Sequence, residues 1–144
     1  MQVMDAKMLA DFIDEHFPQI AHLNLNIDSV DDNSLRLRLP VGERHLRPGG
    51  TVSGPTLMAL TDTAMYLMLL SRIGPATLAV TTNLTINFLR KPGLADVVAE
   101  ARMLKLGKRL AVGEVTLYSD GEAEAVAHAT LTYSIPPDHP GPKS

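Results

Sequence analysis

One long stretch of the chain, residues 48–71, is apolar on nearly every side of a helix. Ser53 is a good N-cap for this helix, Pro55 suits its first turn, and Gly74-Pro75 ends it. Its apolar side chains are Leu57, Met58, Ala59, Leu60, Ala64, Met65, Leu67, Met68, Leu69 and Leu70. Because a helix without a polar face has to be enclosed, we predict that this helix lies in the core of the fold.

The remaining segments are predicted to form one more helix and six strands. Asp5 can cap a first helix that runs to about His16. A hairpin is predicted next, with one strand near residues 22–30 and a second, half-buried strand at 35–39. Four further strands are predicted at about residues 77–89, 96–106, 109–118 and 122–135. This order has no βαβ alternation, so we predict an α+β fold in which an antiparallel sheet of about six strands wraps around the long helix.

Composition and charge narrow the class of protein. The 144 residues suit one domain, predicted over 1–135, followed by a proline-rich tail at 136–144 that should fray. The chain has no cysteine, and its five histidines show no metal-ligand spacing, so we expect no metal and no cofactor. A net charge of −3 without a basic block argues against nucleic acid. Without a signal-peptide pattern or a membrane-spanning segment, we expect a soluble, cytoplasmic protein.

Asp62 is the only charged residue between Pro48 and Ser71. A carboxylate inside an apolar helix is costly unless it is paired, hydrogen-bonded or used in chemistry. Isolated buried carboxylates often acquire pKa values suited to catalysis, which makes Asp62 a candidate catalytic group. The alternative interpretation is that Asp62 caps a neighbouring backbone group or faces a solvent-filled gap.

Gly54 is a second candidate, because a glycine at a helix entrance leaves a free backbone N–H near the positive end of the helix dipole. That arrangement can bind a developing oxyanion. Gly54 precedes Asp62 by eight residues, about 12 Å at the usual rise of 1.5 Å per residue. Both groups can act on one carbonyl only if two helices from two subunits lie side by side, so the spacing favours a site at a dimer interface.

The segments 47–55 and 60–64 resemble the motifs of hotdog-fold acyl-CoA thioesterases of the phenylacetate-degradation type, within the 4-hydroxybenzoyl-CoA thioesterase superfamily. The two motifs read Arg47-Pro48-Gly49-Gly50-Thr51-Val52-Ser53-Gly54-Pro55 and Leu60-Thr61-Asp62-Thr63-Ala64, and the similarity continues through residues 80–90 and 104–110. The resemblance covers about residues 20–134. It implies a long helix wrapped by a curved antiparallel sheet and the hydrolysis of an acyl-CoA thioester at a dimer interface. Because six strands around one helix leave sheet edges unprotected, we also predict an obligate homodimer, with a dimer of dimers as the expected assembly.

The resemblance also implies roles for single residues. The catalytic carboxylate corresponds to Asp62, and the sequence leaves open whether it acts as a general base or as a nucleophile. The backbone N–H that polarises the thioester carbonyl corresponds to Gly54, and a hydroxyl that helps to hold the water corresponds to Thr81.

Three positions depart from the family's pattern. Ser53 stands where the motif has histidine, so it can form a hydrogen bond but cannot act as an imidazole. Pro55 replaces a glycine and removes one backbone donor. Arg47 replaces an asparagine and adds a fixed charge able to pair with Asp62 or with an anionic group of the substrate.

Several other residues are candidates for binding. The candidates for substrate contact are Arg47, Ser53, Met65, Tyr66 and Met68. The two methionines and Tyr66 fit a plain hydrophobic core at least as well. Lys91, Lys105, Lys108 and Arg109 are candidates for the CoA phosphates, against the alternative that they are solvated turn residues.

Two other functions stay open. The loss of the motif histidine, glycine and asparagine together is compatible with a non-catalytic acyl-CoA-binding protein. A hotdog hydratase or dehydratase is less favoured, because such enzymes usually need a histidine near the helix and none occurs between His45 and His128.

Overall fold

The computed structural model describes residues 2–21, 23–41, 46–47 and 51–142. The helices are α1 (Ala6–His16), α2 (Pro18–Ala21) and α3 (Gly54–Ile73). The strands are β1 (Asn26–Asp31), β2 (Ser34–Leu39), β3 (Leu46–Arg47), β4 (Thr51–Val52), β5 (Val80–Phe88), β6 (Val97–Leu106), β7 (Leu110–Ser119) and β8 (Ala125–Ser134). Six strands form one antiparallel sheet in the order β1-β2-β6-β7-β8-β5, and β3 pairs with β4. This is the predicted α+β hotdog fold.

Helix α3 forms the centre of the core, as its pattern predicts. The Ser53 hydroxyl accepts a hydrogen bond from the backbone N–H of Thr56 at 3.3 Å and caps the first turn. Gly74 ends the helix with a φ of +84°, a left-handed conformation that glycine adopts without strain. Leu60, Met68 and most other side chains between the two caps are buried, so the helix is enclosed on nearly all sides.

The sheet supplies the other half of this core. Leu35, Leu37 and Leu39 point inward from β2 and are almost completely buried, while the arginines between them face outward. On β7, Gly113 lies so close to the central helix that a Cβ atom built there would be 2.5 Å from Sδ of Met65. The helix and the sheet therefore pack so tightly here that a side chain at position 113 would require Met65 to move.

Two sequence predictions need correction, and one element was missed. The first strand begins at Asn26 rather than near residue 22, because the backbone N–H groups of Leu23 and Asn24 turn back to the carbonyls of Ile20 and Ala21 at the end of α2. The β3–β4 hairpin was not predicted. The first part of the tail is held rather than frayed, because the Arg109 guanidinium donates to the backbone carbonyls of Pro136, Pro137 and His139 at 2.7–3.1 Å.

No helix in the described part of the chain is long and apolar enough to cross a membrane.

Candidate active site

Asp62 is half-buried on α3 and accepts two hydrogen bonds from side chains of the sheet. The hydroxyls of Thr81 and Tyr133 both donate to its Oδ1, each at 2.7 Å. The Tyr133 hydroxyl also lies 3.2 Å from the backbone oxygen of Asp62. The carboxylate is thus held by two neutral donors and caps no neighbouring backbone N–H among the described residues.

The pairing of β5 with β8 brings these two donors together. Thr81 and Tyr133 are directly opposite each other in the antiparallel register, so their side chains leave the same face of the sheet. The register shifts between Thr81 and Asn83, which places the extra residue, Thr82, immediately after this pair. The two hydroxyls therefore reach Asp62 from adjacent strands of the sheet.

Tyr133 keeps its proton in this environment. Burial raises the pKa of the Tyr133 phenol well above its usual value, and the negative charge of Asp62 raises it further. Its ring stacks on that of Tyr66, with centroids 5.9 Å apart and planes 23° apart. The Tyr66 hydroxyl donates to the backbone oxygen of Ala76 at 3.1 Å, and burial raises the pKa of Tyr66 as well.

An open pocket of about 500 Å³ leads to Asp62 between α1, α2, α3 and β5. It contains four of the six phenylalanine and tyrosine residues of the chain, and a histidine from α1. The residues that line it are Phe12, His16, Phe17, Gln19, Ile20, Ala59, Asp62, Thr63, Tyr66, Thr77, Ala79, Val80, Thr81 and Tyr133. A pocket with four phenylalanine and tyrosine rings, three threonines and one carboxylate suits an uncharged organic group whose reactive carbon sits near Asp62.

Gly54 opens to a different pocket of the same chain. That pocket, of about 560 Å³, is lined by Val52, Gly54, Pro55, Leu57, Phe88, Leu89, Arg90, Lys91 and Pro92, and it shares no lining residue with the Asp62 pocket. Within one chain the two groups therefore face separate spaces, in keeping with their separation along α3. Neither pocket alone contains both of the groups that the motif implies for catalysis.

The start of α3 leaves a single backbone donor available. Pro55 has no N–H, and the N–H of Thr56 is taken by Ser53. The next N–H, of Leu57, donates to the backbone oxygen of Ser53 at 3.1 Å. Among the described residues, no acceptor is placed on the N–H of Gly54, so this group can polarise a carbonyl oxygen.

The other candidates for substrate contact lie in different parts of the structure. The Ser53 hydroxyl is engaged with Thr56, both with its backbone N–H and, at 2.8 Å, with its hydroxyl. Tyr66 lines the Asp62 pocket, whereas Met65 and Met68 are completely buried in the core. The side chain of Arg47 and residues 48–50 lie outside the described part of the chain.

Of the candidates for CoA phosphates, only Lys91 lines one of the two pockets just described. Lys105 lies on β6 and Lys108 on the turn between β6 and β7, and both are exposed. Arg109 is committed to the carbonyls of the C-terminal segment, so a role in phosphate binding is not supported by its position.

Sequence reasoning missed Tyr133 and the contribution of the first two helices. Tyr133 falls within the last predicted strand, but only the register with β5 shows that it meets Asp62. Phe12, His16 and Phe17 enter the site because α1 and α2 fold back beside α3, which no local pattern predicts. Among the described residues, no group of three or more histidine, aspartate or glutamate side chains could hold a metal ion.

The fold and the carboxylate-centred pocket define a hotdog protein with a candidate hydrolytic site. A sequence profile described as the thioesterase superfamily matches residues 49–126, more than half of the chain. The chain belongs to the thioesterase superfamily.

Similar proteins agree with this assignment. A crystal structure described as a putative thioesterase, from Silicibacter sp. TM1040, shares 47% sequence identity and has a TM-score of 0.88, covering 95% of each chain. A mutant of the phenylacetic acid degradation protein PaaI from Thermus thermophilus shares 29% identity, with a TM-score of 0.72, over 83% of this chain and 99% of that one. A protein from Halobacterium salinarum described as a putative esterase is 26% identical over 122 residues, which cover 81% of this chain and 80% of that protein. These likenesses support thioester hydrolysis in general.

Proposed function

We propose that this protein hydrolyses an acyl-CoA thioester, with Asp62 of one subunit and the backbone N–H of Gly54 from a second subunit acting on the same carbonyl. The observation that carries this proposal is the geometry of Asp62. It is a carboxylate at the wall of an aromatic pocket, held by two hydroxyl donors and not neutralised by any described cation. Such a group is available for proton transfer or for nucleophilic attack.

Two routes lead to the same products. In the first, Asp62 takes a proton from water while the water oxygen attacks the thioester carbon. The tetrahedral oxyanion then collapses, the C–S bond breaks, and CoA leaves with a proton as the thiol. In the second, a carboxylate oxygen attacks the same carbon and releases CoA, and water then hydrolyses the mixed anhydride. In both routes the N–H of Gly54 donates to the carbonyl oxygen as negative charge develops there.

The two ends of β5 provide the argument for a dimer. Val80 and Thr81, at its start, line the Asp62 pocket, whereas Phe88, at its end, lines the Gly54 pocket. Antiparallel pairing of β5 with β5 of a second copy would place the start of one strand beside the end of the other. Each Asp62 pocket would then adjoin the Gly54 pocket of its partner, and two complete sites would form.

The surface of β5 suits such pairing. It lies at one edge of the sheet and, in the described part of the chain, pairs only with β8. Unpaired edges of this length are usually covered. Leu78, Val80, Phe88 and Leu89 are all more than half exposed in the single chain, so a second copy would also bury apolar surface. A dimer of dimers would need a further contact and is an additional expectation.

Acyl groups with an aromatic ring belong in the substrate panel. The pocket wall contains Phe12, Phe17, Tyr66 and Tyr133, and one similar protein is named for phenylacetic acid degradation. Rings of this kind pack favourably in offset or edge-to-face geometry. Linear acyl-CoAs of different length provide the comparison.

The test is a screen against acyl-CoA thioesters with detection of the released thiol. Asp62→Asn retains the shape of the side chain and removes the base, so turnover should fall at least about a hundredfold. Asp14→Asn is the matched control, because Asp14 is an exposed carboxylate of α1 outside both pockets. Near-normal turnover by folded Asp62→Asn would refute the role of Asp62.

The same screen tests the second candidate function, a non-catalytic acyl-CoA-binding protein. The observation that favours it is the commitment of the Ser53 hydroxyl to the helix cap, which leaves no side chain at that position for the carbonyl. Binding of CoA esters by the wild type without release of thiol would support this alternative.

A further inference from the structure

We infer that Tyr133 is a positioning residue of the thioesterase site, which fixes Asp62 so that Oδ2 is the oxygen that reacts. This inference rests on the proposed function. It is carried by the contact between the Tyr133 hydroxyl and Asp62, to which no motif of the sequence points.

Hydrogen-bond donors already occupy Oδ1 of Asp62. A carboxylate oxygen has about two lone-pair positions, and Oδ1 accepts from both Thr81 and Tyr133 at 2.7 Å. An oxygen that already accepts two short hydrogen bonds is a weaker base and is sterically shielded. No described side chain donates to Oδ2, which leaves it as the oxygen able to approach water or a thioester carbon.

The Tyr133 side chain, which donates one of these hydrogen bonds, is held rigidly. Tyr133 is 3% exposed, pairs with both neighbouring strands, β5 and β7, and stacks on Tyr66. Phe17 packs edge-on against the other ring of that stack, with centroids 5.9 Å apart. The Tyr133 hydroxyl is therefore held in one place. Because it contacts both the backbone oxygen and Oδ1 of Asp62, it restricts rotation of the Asp62 side chain.

Tyr133 is the donor in its hydrogen bond with Asp62. The titratable side chains that line the pocket around Asp62 are His16 from α1, Tyr66 from α3 and Tyr133 from β8. Tyr66 donates to Ala76 and not to Asp62, and His16 is at the exposed end of α1. Because burial raises the pKa of Tyr133, its phenol stays protonated across the range in which the enzyme would work and remains a donor.

The variant that tests this inference is Tyr133→Phe, which retains the ring and its stack and removes only the hydroxyl. We expect kcat to fall about ten- to a hundredfold, the size of one hydrogen bond to a charged group, while KM changes little. Losing a donor to a carboxylate favours its protonated form, so the acid limb of the rate profile should move to higher pH.

Tyr118→Phe is the matched control. It also removes only a tyrosine hydroxyl, at a position on β7 that lines neither the Asp62 pocket nor the Gly54 pocket. Its acid limb should remain in place and its kcat should stay within a few-fold of the wild type. Equal effects of the two variants, or a kcat of Tyr133→Phe within twofold of the wild type, would overturn the inference.

A second measurement does not depend on activity. In ¹³C-labelled protein at one fixed pH, the carboxyl signal of Asp62 should move in Tyr133→Phe, which loses the hydrogen bond to Oδ1, and should stay at the wild-type position in Tyr118→Phe. A wild type that hydrolyses no thioester would refute the proposed function, and this comparison would still decide the role of Tyr133. An unchanged Asp62 signal in Tyr133→Phe would overturn that role even in an active enzyme.

Discussion

The backbone N–H of Gly54 can be deleted by a substitution that the helix start should accept. Gly54 is the first residue of α3, where proline is favoured because the N–H has no partner within the helix. The preceding residue, Ser53, already has φ −69° and ψ 150°, the extended conformation that a following proline requires. Around a Cβ at Gly54 the nearest atom is Cζ of Phe88, at an ordinary contact distance of 3.6 Å. A Cβ therefore fits at position 54, and the urea measurement reports any cost of placing a proline directly before Pro55.

The expected effect on catalysis is large. Pro55 and the cap by Ser53 leave Gly54 as the available donor at this turn, so Gly54→Pro removes the whole backbone contribution to oxyanion binding there. Loss of one oxyanion donor typically lowers kcat about 10²- to 10³-fold, equivalent to roughly 3–4 kcal/mol. Gly54→Ala is the control, because it adds a Cβ but keeps the N–H, and it should stay within a few-fold of the wild type.

The assay compares thiol release with stability in urea for the two variants. A folded Gly54→Pro enzyme with near-normal kcat would show that this N–H takes no part in catalysis. If Gly54→Ala loses as much activity as Gly54→Pro, then crowding near Phe88 explains the loss and the oxyanion argument fails.

Mixing subunits tests whether the site is shared. Asp62→Asn and Gly54→Pro chains should each be nearly inactive alone, but a mixed dimer contains one intact site, with Asp62 from one chain and Gly54 from the other. Random exchange of equal amounts should restore about a quarter of the wild-type activity, since half of the dimers are mixed and each has one intact site of two. No recovery after confirmed exchange would mean that both groups act within one chain.

Two further predictions concern stability. Hydrogen bonds from Arg102 and His128 lower the pKa of Glu114, so the stability that the Glu114 carboxylate contributes is complete above the unfolded-state pKa of about 4.3 and is lost as pH falls through the lower folded value. In urea titrations, the difference in unfolding free energy between the wild type and Glu114→Gln should shrink over that pH interval. A difference that stays constant would contradict this role of Glu114. Gly113→Ala would bring a Cβ to 2.5 Å from Sδ of Met65 and 3.1 Å from the backbone oxygen of Arg102, so we expect a loss of about 1–3 kcal/mol, and an unchanged urea midpoint would show that the core yields there.

The parts of the fold that the sequence predicts are those set by local chemistry. The apolar helix, its serine cap and its glycine end depend on neighbouring residues, and all three are confirmed. The alternation of leucine and arginine in β2 likewise fixes its inward face. The six-stranded antiparallel sheet followed from the order of these segments, while the exact start of β1 and the β3–β4 hairpin did not.

The parts that the sequence could not predict depend on contacts between distant segments. Asp62 stood out because a lone charge in an apolar helix needs an explanation, and that feature is local. Its partner Tyr133 lies 71 residues away, and only the register of β5 against β8 brings its hydroxyl to Oδ1. The docking of residues 136–139 depends in the same way on Arg109, whose guanidinium satisfies carbonyls that a free tail would expose to water.

The departures from the family's motif take on a physical meaning at the start of α3. Ser53 and Pro55 both promote helix initiation, one by accepting from Thr56 and the other by fixing the first turn. The same two residues reduce the polar groups available to a carbonyl oxygen at this turn to the N–H of Gly54. With less stabilisation of the oxyanion, catalysis would depend more strongly on the alignment of the carboxylate. The two short hydrogen bonds on Oδ1 of Asp62 provide that alignment, so we expect variants of Tyr133 and Gly54 to impair the same chemical step.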